Sequence, residues 1–172
     1  MGTNHAQPEA PEGSERSEGL EADRDLRARH RAVVADYMSR KGETRKTRYQ
    51  LFAEDGSAGL WTSDTGQPIT SQGHEKLKAH GEWSLRMFPD WEWSNVQIFE
   101  TQDPNQFWVE CDGEGQILYP NYPPGHYQNH FIHSFLLEDG KIKQNREFMN
   151  PLQQLRALGL EVPKVNRGGI PT

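Results

Sequence analysis

A chain of 172 residues is long enough for one domain with a sizeable core, and a net charge of −6 without a basic block makes nucleic acid and anionic membrane poor partners. No apolar run is long enough to span a bilayer, and no signal-peptide-like stretch opens the chain. The lone cysteine, Cys111, excludes an internal disulfide, fits a reducing cytoplasm, and reads as a packing residue from its alternating strand context.

The first 19 residues lack aromatic and branched apolar side chains, so residues 1–19 are expected to form a disordered acidic leader. Residues 20–160 then make one domain, and the Pro- and Gly-rich residues 161–172 an extended tail. Within the domain, Leu26, His30, Val33, Val34, Tyr37 and Met38 keep helical spacing up to a stop at Gly42. A shorter helix is expected over 43–56, a broken ribbon over 59–70, and a third helix over 73–88, ending before Pro89.

From there to Asn150 the pattern is strand and turn. Residues 91–100 alternate, as do 106–118, where Gly113 and Gly115 share a face and allow a sharp bend or a close approach. Asp139-Gly140 marks a two-residue hairpin turn, because a type I′ turn needs positive φ at both positions. The segment from Asn150 to Gly159 reads as a short final helix. Helices followed by an antiparallel meander make an α+β fold, and a strongly bent sheet wrapped around the N-terminal helices forms a cone with an interior.

Several polar residues sit where apolar ones belong. A regular hairpin pairs Glu138 with Lys141, Leu137 with Ile142 and Ile132 with Glu147. Phe131, His133, Phe135 and Leu137 then share one face with Ile142, Gln144, Arg146 and Phe148, read as the outer face and apolar enough to predict a homodimer. Glu147 lies on the other, between Asn145 and Met149, either as an edge charge against aggregation or as a carboxylate lining a cavity. On the third helix His80 and Ser84 interrupt a stripe that includes Leu77 and Phe88, so His80 is a satisfied core histidine or a functional base. Arg48 shares an edge with Leu51 and Phe52, as a snorkelling arginine or as a carboxylate ligand.

An acid, a base and a cation on three elements point to acid/base chemistry. The chain has no lysine nucleophile motif, glycine-rich phosphate loop or activated cysteine pattern, so no cofactor is expected. Of the closely spaced His126, His130 and His133, the last faces away from the others in a strand, so no metal site is expected.

The stretches "GLWTSDTGQPI", "WSLRMFPDWEW", "IFETQDPNQFWVECDGEG", "NHFIHSF" and "GKIKQNREFMNPLQQLRALG" closely resemble the phenazine biosynthesis protein A/B family over roughly residues 22–172. The resemblance implies a ketosteroid-isomerase-like, nuclear-transport-factor-2-like (SnoaL-type) cone and a cytoplasmic homodimer. It implies condensation of two molecules of a carboxylated cyclic amino-ketone, 6-amino-5-oxocyclohex-2-ene-1-carboxylate, to a tricyclic phenazine precursor. Glu147 of the "NREF" segment would transfer protons with His80, while Arg48, Ser84 and Tyr127 would bind substrate. An isomerase or dehydratase on another cyclic ketone, or a non-catalytic binding paralogue, are the alternatives.

Overall fold

Asp139 and Gly140 take φ of 50° and 75°, so the hairpin turns where its sequence says it should. A computed structural model describes residues 13–169 and 171 of the chain, with side chains from residue 17 onward. In order, the elements are α1 (Gly13–Ser39), a 3-10 helix (Gly42–Leu51), β1 (Phe52–Leu60), β2 (Ile69–Gln72), α2 (His74–Met87), β3 (Glu92–Glu100), β4 (Gln106–Ile117), β5 (Gly125–Glu138), β6 (Lys141–Met149) and α3 (Pro151–Ala157). Helix α1 begins at Gly13, inside the stretch expected to be leader, and residues 1–12 of that stretch lie outside the described residues. Among the described residues no helix is long and apolar enough to cross a membrane.

The six strands form one curved, unclosed sheet in the order β2-β1-β6-β5-β4-β3. All pairs are antiparallel except β1 with β6, which are parallel. Helix α1 packs across the concave side through the residues that its periodicity marks: His30, Val34 and Met38 are buried. His30 also ties the helix to the hairpin tip, accepting at Nε2 from the Gly140 N–H at 3.3 Å.

Two departures from the expected local structure decide the site. The segment 43–56 is a 3-10 helix that stops at Leu51, and Phe52 opens β1 in extended conformation with its ring buried. Three residues per turn line up Arg45, Arg48 and Leu51 on one face, so Arg45, which the α-helical reading passed over, joins Arg48 facing the sheet. The second departure is a bulge in β6. Leu137 pairs with Ile142, but Leu136 pairs with Gln144, leaving Lys143 without an opposite residue. The Lys143 ammonium reaches Asp55 at 2.6 Å and Glu138 at 3.3 Å.

A one-residue slip exchanges the faces of the strand beyond it. Glu147 therefore pairs with His133, not with Ile132, and Phe148 takes the place opposite Ile132. The expected outer face is corrected accordingly. Phe131, His133, Phe135, Leu137 and Ile142 are buried on the concave side together with Asn145 and Met149, while Arg146 and Phe148 lie on the convex side. There Phe148 stacks on Trp108, and the Arg146 guanidinium lies 5.8 Å from the Trp61 ring centre.

Gly113 makes room for the aromatic wall of the concave face. A Cβ there would stand 2.4 Å from Trp91 Cζ2, 2.6 Å from Trp93 Cζ3 and 2.9 Å from Phe131 Cε2. Three interlocked rings cannot all retreat, so Gly113→Ala is expected to lower stability by about 1 to 3 kcal/mol. Urea unfolding that matches the wild type would show that the wall is pliable.

Candidate active site

Between the 3-10 helix, α2 and the concave face of the sheet lies a cavity of about 200 Å³. Glu147, His80, Ser84, Arg48 and Tyr127 all line it, so the five residues named from sequence are brought to one place by four elements: the 3-10 helix, α2, β5 and β6. The wall is largely aromatic, with Trp83, Phe88, Trp91, Trp93 and Phe131 in mutual edge contacts such as Trp93 on Phe131 at 4.9 Å and 81°. Flat apolar rings suit a flat, partly unsaturated ligand.

Glu147 is held from both sides of its strand. Parallel pairing with β1 sets Leu60 beside it, and its carbonyl accepts from the Trp61 N–H at 2.7 Å. Its side chain keeps 29% of its surface accessible, the part turned to the cavity. Burial pushes its carboxyl up to about 7, against a smaller opposing pull from the Arg48 guanidinium. A carboxyl poised near neutrality can both give and take a proton.

Arg48 is deeply placed. One Nη donates to the Arg40 carbonyl at 2.6 Å, the guanidinium lies 4.7 Å from the Tyr37 ring centre, and Nε is buried without a partner. None of its hydrogen bonds goes to a carboxylate, so its charge stays available to an anion entering the cavity. Arg45 has a different task. It donates to the carbonyls of Phe88 and Ser84 and, at 2.7 Å, to the Ser84 hydroxyl, fastening the 3-10 helix to α2. Burial, then Arg48, lowers its pKa to about 10, which leaves it charged. By donating to Ser84 Oγ it polarises that hydroxyl, making it a better donor to a ligand oxygen.

His80 stands at the cavity rim, its ring 5.6 Å from that of Trp83. Desolvation on the cavity side, then the Arg45 charge, lowers its pKa, so the imidazole is neutral at neutral pH and can donate or accept. Tyr127 is buried and its hydroxyl accepts from the Asn129 side-chain amide at 2.9 Å; desolvation raises its pKa and keeps the phenol protonated.

Sequence reasoning missed Arg45 and assigned His133 to the wrong surface. His133 is fully buried, with Nε2 3.9 Å from Glu147 Oε2. A slip in hairpin register leaves no local signal in composition, so only the observed pairing reveals it. Cys111 is buried as expected, with its thiol raised to about 12 by burial, which makes it inert.

The family model for phenazine biosynthesis protein A/B matches residues 12–172. The chain is 59% identical to phenazine biosynthesis protein PhzB 2 of Pseudomonas aeruginosa (strain UCBPP-PA14), covering 90% of this chain and 96% of that one. It is 62% identical to phenazine biosynthesis protein PhzB of Pseudomonas fluorescens, over 87% and 92%. Among solved structures, a phenazine biosynthesis-related protein (phzb2) from Pseudomonas aeruginosa superposes with a TM-score of 0.87 at 59% identity, covering 89% of this chain and 99% of that one. A putative polyketide cyclase from Xanthomonas campestris pv. campestris shares the fold at 14% identity and a TM-score of 0.64, covering 77% of this chain and 98% of that one.

Proposed function

Because this chain belongs to the phenazine biosynthesis protein A/B family, and so has a role in phenazine biosynthesis, we propose that it accelerates condensation of two molecules of 6-amino-5-oxocyclohex-2-ene-1-carboxylate to a tricyclic phenazine precursor. The observation that carries this reading is the raised carboxyl of Glu147, facing an aromatic cavity that also holds the cation of Arg48.

Each new C–N bond forms when the amine of one molecule attacks the ketone of the other. The resulting carbinolamine loses one water as the imine forms, so two condensations release two waters. Glu147 in its acid form delivers a proton to the departing oxygen, and as carboxylate it takes one from nitrogen. Neutral His80 and the Ser84 hydroxyl hold the ketone or carbinolamine oxygen, Tyr127 lies against the ligand, and Arg48 grips a carboxylate. Holding two molecules together adds effective molarity to the acid/base contribution.

The test generates the amino-ketone in situ and follows tricycle formation with and without protein. Faster formation supports the reading. Binding without acceleration points to a non-catalytic paralogue, and loss of the ketone without a tricycle points to an isomerase or dehydratase.

The same proposal places the protein in the cytoplasm as a homodimer joined through the convex face of the sheet. Phe99, Ile132 and Leu136 are exposed there around the Trp108–Phe148 stack, more apolar surface than a solvated face carries. Sedimentation at micromolar concentration is expected to give a dimer; a monomer rejects the arrangement.

A further inference from the structure

The proposed reaction gives His133 no part, yet the fold fixes its ring on every side. Phe131 and Phe135 flank it two residues away on β5, at 6.3 and 5.9 Å, and Trp93 meets it edge-on at 5.1 Å. The Asn145 side-chain nitrogen lies 3.5 Å from Nδ1. An amide nitrogen can only donate, so Nδ1 accepts and the ring proton sits on Nε2. That N–H is buried without a hydrogen-bond partner and lies 3.9 Å from Glu147 Oε2, too far for a hydrogen bond and near enough for a small rotation of the carboxyl to make one.

We propose that His133 is a positioning residue whose Nε2–H receives the Glu147 carboxylate each time Glu147 has given its proton away. This rests on the reading of Glu147 as the proton carrier. In its acid form Glu147 faces the cavity with its own O–H to give. Once that proton has gone to the substrate oxygen, the carboxylate turns to the waiting N–H. Taking a proton from nitrogen releases it again. No proton passes through His133, which stays neutral because burial, then Arg48, depresses its pKa to about 3.

Other groups near Glu147 leave room for this role. Arg48, on the 3-10 helix, is the cation that acts on Glu147 and favours the carboxylate, while the Arg45 charge on the same helix is turned to Ser84 and the Phe88 carbonyl. Tyr37 on α1, Tyr119 beyond β4, Tyr127 on β5 and Cys111 on β4 are kept protonated by burial, and His80 on α2 is neutral. The state of Glu147 is thus shared between one charge and one N–H donor.

The experiment compares His133→Phe, which keeps the ring stack and removes the donor, with His133→Gln, whose amide N–H falls near the position of Nε2. The carboxyl of Glu147 is titrated by ¹³C NMR in glutamate-labelled protein, its signal assigned by absence from Glu147→Gln. Without the donor the carboxylate is less favoured, so His133→Phe is expected to raise the midpoint by about 0.5 to 1 pH unit and to move the acid limb of the rate profile with it. His133→Gln is expected to restore both. Should the phenyl ring prevent folding, His133→Met supplies the donor-free arm. A midpoint that stays put in the donor-free variant, or moves equally in the glutamine variant, overturns the proposal. The titration needs no turnover, so it separates this failure from that of the condensation reading, which Glu147→Gln tests by rate.

Discussion

Glu147→Gln is expected to slow condensation by about 10²- to 10⁴-fold, the usual contribution of one positioned acid/base group, leaving a residual acceleration from proximity. Glutamine keeps size and hydrogen-bonding capacity, so folding and ligand binding survive. A second readout follows from the carboxyl itself. It ionises near 4.5 in the unfolded chain and near 7 in the folded one. Between those values the native protein holds a proton that the unfolded chain has released, so stability falls as pH rises through the interval. Below about 4.5 the side chain costs nothing by this route; above 7 the full cost is present, on the order of 3 kcal/mol for the difference between 7 and 4.5. Glu147→Gln removes this pH dependence. Urea unfolding at pH 5 and pH 8 is therefore expected to show the variant gaining on the wild type at the higher pH. A variant that condenses at the wild-type rate would return this carboxylate to a role in the sheet alone.

Arg48→Ala is expected to weaken binding of carboxylated cyclohexenyl-amine analogues by about 2 to 3 kcal/mol, or about 30- to 150-fold, the size of a lost charge-assisted pair. Some stability is lost as well, since the guanidinium covers the Tyr37 ring and donates to the Arg40 carbonyl. That loss is common to all ligands, so the decisive quantity is the ratio between carboxylated and uncharged analogues, measured by calorimetry. A large ratio in the wild type that collapses in the variant marks an anion site. Equal weakening of both ligands marks an arginine that only supports the wall. Removing Arg48 also removes the charge that restrains the Glu147 pKa, so the acid limb of the rate profile moves to higher pH.

Much of the frame is legible in the sequence. The apolar period of α1, the Asp139-Gly140 turn, the stop at Gly159 and the alternation of β4 are local signals, each carried by a few neighbouring residues, and each appears where its chemistry puts it. His80 and Ser84 were visible for the same reason, as polar breaks in one helical stripe. The resemblance to phenazine biosynthesis protein A/B sequences added the identity of Tyr127, which has no periodic signature of its own.

What tertiary structure alone decided is the direction in which things point. The residue types of β6 are compatible with either face, and the bulge at Lys143 selects one by combining the β5 ladder with a parallel pairing to β1, a strand some 90 residues earlier in the chain. That slip moves Asn145, Glu147 and Met149 onto the face of Phe131, Phe135 and Ile142 and sets Glu147 against His133. Likewise, the segment at 42–51 is a 3-10 helix that gives way to β1 at Phe52, and its three-residue turn aligns Arg45 with Arg48. Sequence by itself determined which elements form and which polar residues are out of place, because those depend on neighbours along the chain. Which of those residues meet was settled by long-range pairing, because a shift of one residue in register reverses a strand's faces without changing a single side chain.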